Sequence, residues 1–176
     1  MEYKIISVNK NDYGELGLYE VIMKAQSELA RLVNEEIEKF KWADVVFFQT
    51  PLNWMGVSWS FKKYIDEVFS MGMMGEMSDG DGRSKEAPKK NYGLGGKLNG
   101  NYMMSVTANA PKEAFNNQEE PFFNGMSEDD LLKPMHLNFK WFGFESLPTF
   151  MAYDVMKNPE IENDFIRFEN HLKANF

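Results

Sequence analysis

The sequence predicts an α/β protein, a doubly wound parallel sheet with helices on both faces and one strand short. Three observations carry that expectation. Short apolar runs of strand length alternate along the chain with longer stripes at helical spacing. The run Val45, Val46, Phe47, Phe48 is apolar without interruption, which suits a strand covered on both faces. Thr50 and Pro51 then stop the run where a parallel sheet opens toward a ligand, and a helical pattern follows.

Residues 3–8 read as the first strand and 9–17 as a polar turn. Leu18, Val21, Ile22, Ala25, Leu29, Leu32, Val33, Ile37 and Phe40 then keep one 3.6-residue stripe. That stripe predicts a single helix of about 23 residues, roughly 34 Å long. Residues 45–49 form the next strand, and 56–70 a helix whose Phe61, Tyr64, Ile65, Val68 and Phe69 pack on the sheet. Residues 72–100 are a long polar loop rich in Gly, Asp and Lys; a loop of that length inside a compact domain is usually functional. Residues 102–108 are a strand. Pro111 opens a short helix closed before Gly125, Ser127 to Asp130 fit a capping box, and Pro134 begins a further helix ending at Gly143. Residues 147–153 form the last strand. Asn158 and Pro159 cap a terminal helix that carries Ile161, Phe165, Phe168, Leu172 and Phe176 on one face.

Length makes residues 1–176 one domain, large enough to bury about 70% of the surface its unfolded chain exposes. Nineteen basic against 27 acidic residues give a net charge of −8, which argues against a nucleic-acid surface. The absence of cysteine excludes disulfides, thiolate catalysis and zinc–thiolate sites. No apolar run is long enough to span a membrane, and Met1-Glu2-Tyr3-Lys4 lacks the apolar core of a signal peptide, so the cytoplasm is expected. The 4 Trp, 7 Tyr and 15 Phe fit an aromatic-rich core and a dimer interface, and also the walls of a cofactor site.

The strand, turn and helix over 44–69 have the layout of a cofactor crevice. Pro51 sets the chain direction, Trp54 and Trp59 offer broad apolar faces, and Gly56 permits close backbone approach. Pro51-Leu52-x-Trp54-x-Gly56-Val57, followed by Lys62, Lys63, Tyr64, Asp66 and Phe69, resembles the flavin-ring loop of the flavodoxin-like NAD(P)H:quinone reductases. Within them the likeness is to the modulator of drug activity B subfamily. Trp42-Ala43-Asp44, Asp81-Gly82-Arg83, Lys90 to Gly96, Thr107 to Pro111 with Glu113-Ala114-Phe115, and Leu147 to Phe150 with Asp154-Val155 stand in that subfamily's order, covering 35–176.

The resemblance implies a homodimeric flavodoxin-like protein that binds FAD, with FMN as the alternative, and uses NAD(P)H to reduce a small quinone-like acceptor by ping-pong hydride transfer. It places Pro51, Leu52, Asn53, Trp54 and Met55, together with Thr107, Ala108, Asn109 and Ala110, around the isoalloxazine ring. Tyr92 and Gly93 fall in a glycine loop near the flavin or the partner subunit, and His136 at the rim of the site. The competing structural reading has Trp54 and Trp59 plugging the end of the sheet.

Two departures stand out. Flavodoxin-like sheets have five strands ordered 2-1-3-4-5, whereas four are legible here, one being absent between Val8 and Asp44. Deletion of an edge strand costs less than loss of a central one, which would leave unpaired backbone. The phosphate turn also differs: Asn9-Lys-Asn-Asp-Tyr-Gly-Glu-Leu-Gly17 has no Ser or Thr hydroxyl, and Asp12 and Glu15 would repel an anion. Weakened flavin affinity is therefore expected. A flavin-free paralogue acting as a dimeric binding or scaffold protein is the alternative. Tyr92 to Gly96 is not a dinucleotide fingerprint, and Asp79-Gly-Asp-Gly-Arg83 lacks the glycine and closing glutamate of a calcium loop. No metal site is expected at either histidine.

Overall fold

The computed structural model describes residues 28–176. The expected strand at 3–8, the turn at 9–17 and the helical stripe at 18–27 lie outside the described residues. Helix α1 (Glu28–Trp42) leads into β1 (Val45–Asn53), with no strand among the described residues before it. There follow β2 (Gly56–Val57), α2 (Trp59–Gly72), β3 (Asn101–Thr107), α3 (Glu128–Leu131), α4 (Lys133–Trp141), β4 (Glu145–Ser146), β5 (Phe150–Ala152) and α5 (Ile161–Asn175).

The sheet is parallel except for β2. β1 pairs with β3 from Val45 opposite Asn101 to Pro51 opposite Thr107. β4 and β5 follow one another along the other side of β3. Alternation of side chains along a strand sends neighbours to opposite faces, and the contacts obey it. Phe48 meets Phe40 of α1, Phe61 of α2 and Phe139 of α4, at centroid distances of 6.2, 5.1 and 4.9 Å. Phe47, one residue away, meets Phe168 of α5 at 5.8 Å, and Phe168 also packs on Phe150 at 4.9 Å. Helices therefore cover both faces. Val33, Ile37 and Phe40 of the α1 stripe are buried, as are Ile65, Val68 and Phe69 of α2. Each such side chain contributes about 1.5–3 kcal/mol by leaving water.

Several elements differ from the sequence expectation, each for a local reason. β1 does not stop at Thr50-Pro51 but continues to Asn53 and turns back as a hairpin, with Leu52 opposite Val57 and Asn53 opposite Gly56. Pro51 lacks an N–H but tolerates a position near a strand end. Its helix begins at Trp59, not at 56, because the Ser58 hydroxyl accepts the Phe61 N–H at 3.2 Å and caps it. The last strand is two short pieces, since Pro148 offers no donor between them; Leu147 N still reaches the Tyr102 carbonyl at 2.8 Å. After Pro111 only a 3-10 turn forms, Lys112–Ala114. The Ser127–Asp130 capping box is present as expected, with both reciprocal bonds. Helix α5 starts from Glu160 with no side-chain cap in place of Asn158.

The loop of residues 73–100 runs along the edge of the sheet where the strands begin. Ser78 bridges Gly96, and Leu98 N donates to the Phe142 carbonyl at 2.9 Å. A Cβ on Gly96 would fall 2.2 Å from the Phe142 carbonyl carbon, so this contact requires glycine. Gly143 is constrained twice over, by a φ of +95° and by Leu98 O at 2.1 Å from a built Cβ.

Candidate active site

Register brings the two expected ring loops together. Pro51 stands opposite Thr107, and Thr107 opposite Ala152, so three neighbouring strand ends line one edge of the sheet. In open parallel sheets ligands bind in the crevice beyond this edge. The first loop, residues 51–55, closes as a two-residue hairpin turn at Trp54 and Met55, whose φ angles are 47° and 63°. Asn-Gly is the usual pair for such a turn, and a bulky residue held at positive φ costs on the order of 1 kcal/mol or more. The strained pair holds the Trp54 side chain out in solvent at 98% exposure, and Trp59 is 72% exposed. Neither tryptophan plugs the sheet. Gly56, in contrast, has open space around it, its nearest neighbour being the Asn53 carbonyl at 4.0 Å.

In the second loop Ala108 is buried, and its N–H donates to the Ala152 carbonyl at 2.8 Å. The Asp154 and Val155 N–H groups donate back to the carbonyls of Ala110 and Ala108, both at 3.1 Å. Among the described residues nothing accepts the N–H of Asn109 or Ala110. Backbone donors with no acceptor among the described residues, at a strand end next to a loop that carries an exposed indole, suit a flat ring with polar edge atoms such as a flavin.

Tyr92 and Gly93 are not brought to this edge. Tyr92 packs edge-on against Trp141 at 5.3 Å, the Arg83 guanidinium lies 5.6 Å from its ring, and Gly93 faces the same Trp141. Trp141 ends α4 beside Phe142 and Gly143, where the strands begin, so within one chain this loop sits at the opposite edge of the sheet. Nor does His136 reach the crevice. Its Nδ1 lies 2.5 Å from the Tyr102 hydroxyl, and its Nε2 lies 3.3 Å from the Asp129 carboxylate without hydrogen-bond alignment. Tyr102 precedes Thr107 by five residues of β3, about 16 Å along the strand. The proximity of His136 holds the Asp129 carboxyl below its usual range. His136 thus ties α4 to β3 and α3, a packing role that a lone histidine in the sequence does not reveal.

The same edge of the sheet carries residues that sequence reasoning missed. Tyr153 directly follows β5, and its hydroxyl donates to the Glu128 carboxylate, which also accepts from Asn116 Nδ2 at 3.0 Å. Burial foremost, then the Glu128 charge, pushes the Tyr153 phenol well above its ordinary value. The only sequence signal for Glu128 is its place in the capping box.

With this geometry in hand, comparison with known proteins is decisive. A family model described as a flavodoxin-like fold matches residues 7–174. NADPH:quinone oxidoreductase MdaB of Haemophilus influenzae is 43% identical over 145 residues, 82% of this chain and 74% of that protein. The chain belongs to the flavodoxin-like NAD(P)H:quinone reductase family. Among solved structures, a putative quinone reductase from Klebsiella pneumoniae matches this family member with a TM-score of 0.61 and 28% identity, over 89% of this chain and 56% of that one. The general stress protein 14 of Treponema denticola, solved in complex with FMN, shares the fold at a TM-score of 0.56 and 18% identity, over 90% of this chain and 79% of its own. Among the described residues no helix is long and apolar enough to cross a membrane.

Proposed function

We infer that this protein is an NAD(P)H:quinone oxidoreductase working through a flavin held at the edge formed by residues 51–55 and 107–110. The observation that supports it most is the register of Pro51, Thr107 and Ala152, which sets the two loops side by side, with no acceptor for the Asn109 and Ala110 N–H groups among the described residues. When bound, a flavin supplies both hydride acceptance from reduced nicotinamide and hydride donation to a quinone, in one ring. The chain's own part is to hold and orient. Backbone donors at Asn109 and Ala110 bind polar ring edges, the buried Ala108 keeps that backbone rigid, and Trp54 shields a ring face from water. Because donor and acceptor use one place in turn, the kinetics are ping-pong. FAD is the proposed form, and the negative charges of Asp12 and Glu15, in a segment outside the described residues that the sequence assigns to the phosphates, are expected to weaken its hold.

The site is proposed to be completed in a homodimer. Tyr92 and Leu94 are 69% and 62% exposed at one edge of the sheet, while the exposed Trp54 and Trp59 stand at the other, so a second copy can bring the two groups together. Titration of the purified protein with riboflavin, FMN and FAD, followed by flavin fluorescence, tests the assignment. Quenching by flavins and parallel double-reciprocal plots against NADPH and a quinone are expected. An absence of quenching by any flavin would leave the flavin-free scaffold.

A further inference from the structure

We propose that Glu128 is a positioning residue, which fastens the backbone of residues 108–110 through Tyr153 and Asn116 and so sets the donors of the flavin edge. This rests on the flavin reading above, and the geometry that carries it is local. The segment after β3 leaves the sheet at Ala108, runs through residues 111–127 without regular helix, and returns at the Ser127 cap of α3. Glu128 is the first residue after that return. One of its carboxylate oxygens accepts from Asn116, near the start of the excursion, and the other accepts from the Tyr153 hydroxyl at the end of β5. Both ends of the excursion are thereby tied to the neighbouring strand.

Tyr153 passes the constraint on. The residue after it, Asp154, sits at a φ of 49° and gives its N–H to the Ala110 carbonyl at 3.1 Å; Val155 gives its own to Ala108 at 3.1 Å. Fixing the Tyr153 side chain therefore fixes the two donors that hold the carbonyls of 108 and 110, on either side of the N–H groups of Asn109 and Ala110, which find no acceptor among the described residues. Tyr153 is gripped from its other sides by Phe115, at a 6.0 Å centroid distance, and by the Arg167 guanidinium at 5.5 Å from its ring. Arg167 also donates to the Met151 carbonyl at 2.7 Å, so α5 joins the same clasp. Charge-assisted bonds of the Glu128 kind are stronger than neutral ones, and losing them leaves the segment to its backbone bonds and the packing of Phe115 on Phe123.

The experiment compares the wild-type chain with Glu128→Ala, Glu128→Gln and Tyr153→Phe by amide hydrogen exchange without ligand and by riboflavin titration. Glu128→Ala is expected to speed exchange across residues 108–117 by about tenfold with α1, α2 and β1 unchanged, and to weaken riboflavin by about tenfold. Tyr153→Phe should reproduce the exchange pattern in a chain that keeps its carboxylate. Glu128→Gln should restore most of both, because its amide oxygen still accepts from Tyr153 and its amide nitrogen can donate to a flipped Asn116. Unchanged exchange over 108–117 in both Glu128→Ala and Tyr153→Phe, or undiminished riboflavin affinity in Glu128→Ala, would overturn the proposal. If the wild type binds no riboflavin while the exchange pattern responds, the flavin reading fails and the loop-positioning role stands.

Discussion

Trp54 and Met55 put the clearest tension in the molecule at single residues, since both occupy the left-handed region that a two-residue hairpin reserves for Asn and Gly. Met55→Gly is expected to stabilise the protein by about 1 kcal/mol, read as a higher urea midpoint, by relieving that strain. Trp54→Ala should leave the midpoint within about 0.5 kcal/mol, because a side chain 98% exposed buries almost nothing. The same substitution should weaken riboflavin binding. An indole that mattered to stability and not to the ligand would give the reverse pattern. His136 shows the other use of a polar side chain. With Tyr102 and, farther off, the Ser146 hydroxyl at one ring nitrogen and Asp129 near the other, Tyr102→Phe should cost about 1 kcal/mol by leaving that nitrogen only the 3.5 Å Ser146 contact, with no change in the kinetics at the proposed flavin edge.

Between elements, the Tyr64 hydroxyl of α2 donates to the Glu36 carboxylate of α1 at 2.9 Å, and this pin has a signed dependence on pH. Burial first, and then the Glu36 charge, raises the Tyr64 phenol above its ordinary value. A raised folded value means the protonated phenol is favoured by folding. The contribution is therefore whole below the unfolded value of roughly 10 and is lost as pH rises through the folded one. Urea midpoints measured from about pH 8 to about pH 12 should fall less in Tyr64→Phe than in the wild type over the alkaline part of that range. Gly96 fixes a different contact, between the 73–100 loop and the end of α4. Gly96→Ala places a Cβ 2.2 Å from the Phe142 backbone, which cannot yield as a flexible side chain would, so a loss of about 2 kcal/mol or more is expected in the same denaturation assay.

For the molecule as a whole, the proposed dimer predicts sedimentation at about twice the chain mass of 20.5 kDa at micromolar concentration. A single species at the chain mass would refute it. Flavin selectivity tests the phosphate side, which lies outside the described residues. Changing Asp12 and Glu15 together to Ser removes two negative charges, each worth up to roughly 1 kcal/mol at a helix N-terminus. The double variant should tighten FAD much more than riboflavin in a fluorescence titration. Equal tightening of both would place the effect away from the phosphates.

The layered α/β class, the α1 and α2 stripes and the Ser127 capping box are legible in the chain, because periodicity and local hydrogen bonding act over a few residues; the two proposed ring loops come from resemblance to a family and not from local pattern. Phe47 and Phe48 alternate between the two faces as strand geometry requires, but the uninterrupted apolar run overstates the covering, because Phe47 meets Phe168 and still stays exposed. Other features depend on partners distant in sequence. Nothing near Pro51 says that the strand continues into a hairpin, because that continuation needs Thr107 alongside and Val57 folded back. Nothing near Tyr92 says which edge of the sheet it occupies; that follows from Trp141 and the Leu98–Phe142 contact. Glu128, Tyr153 and Asn116 become one clasp only when the end of β5 lies beside the excursion after β3. Local energetics wrote the elements into the sequence, whereas long-range register and close approach assigned the loops between them to one edge of the sheet or the other.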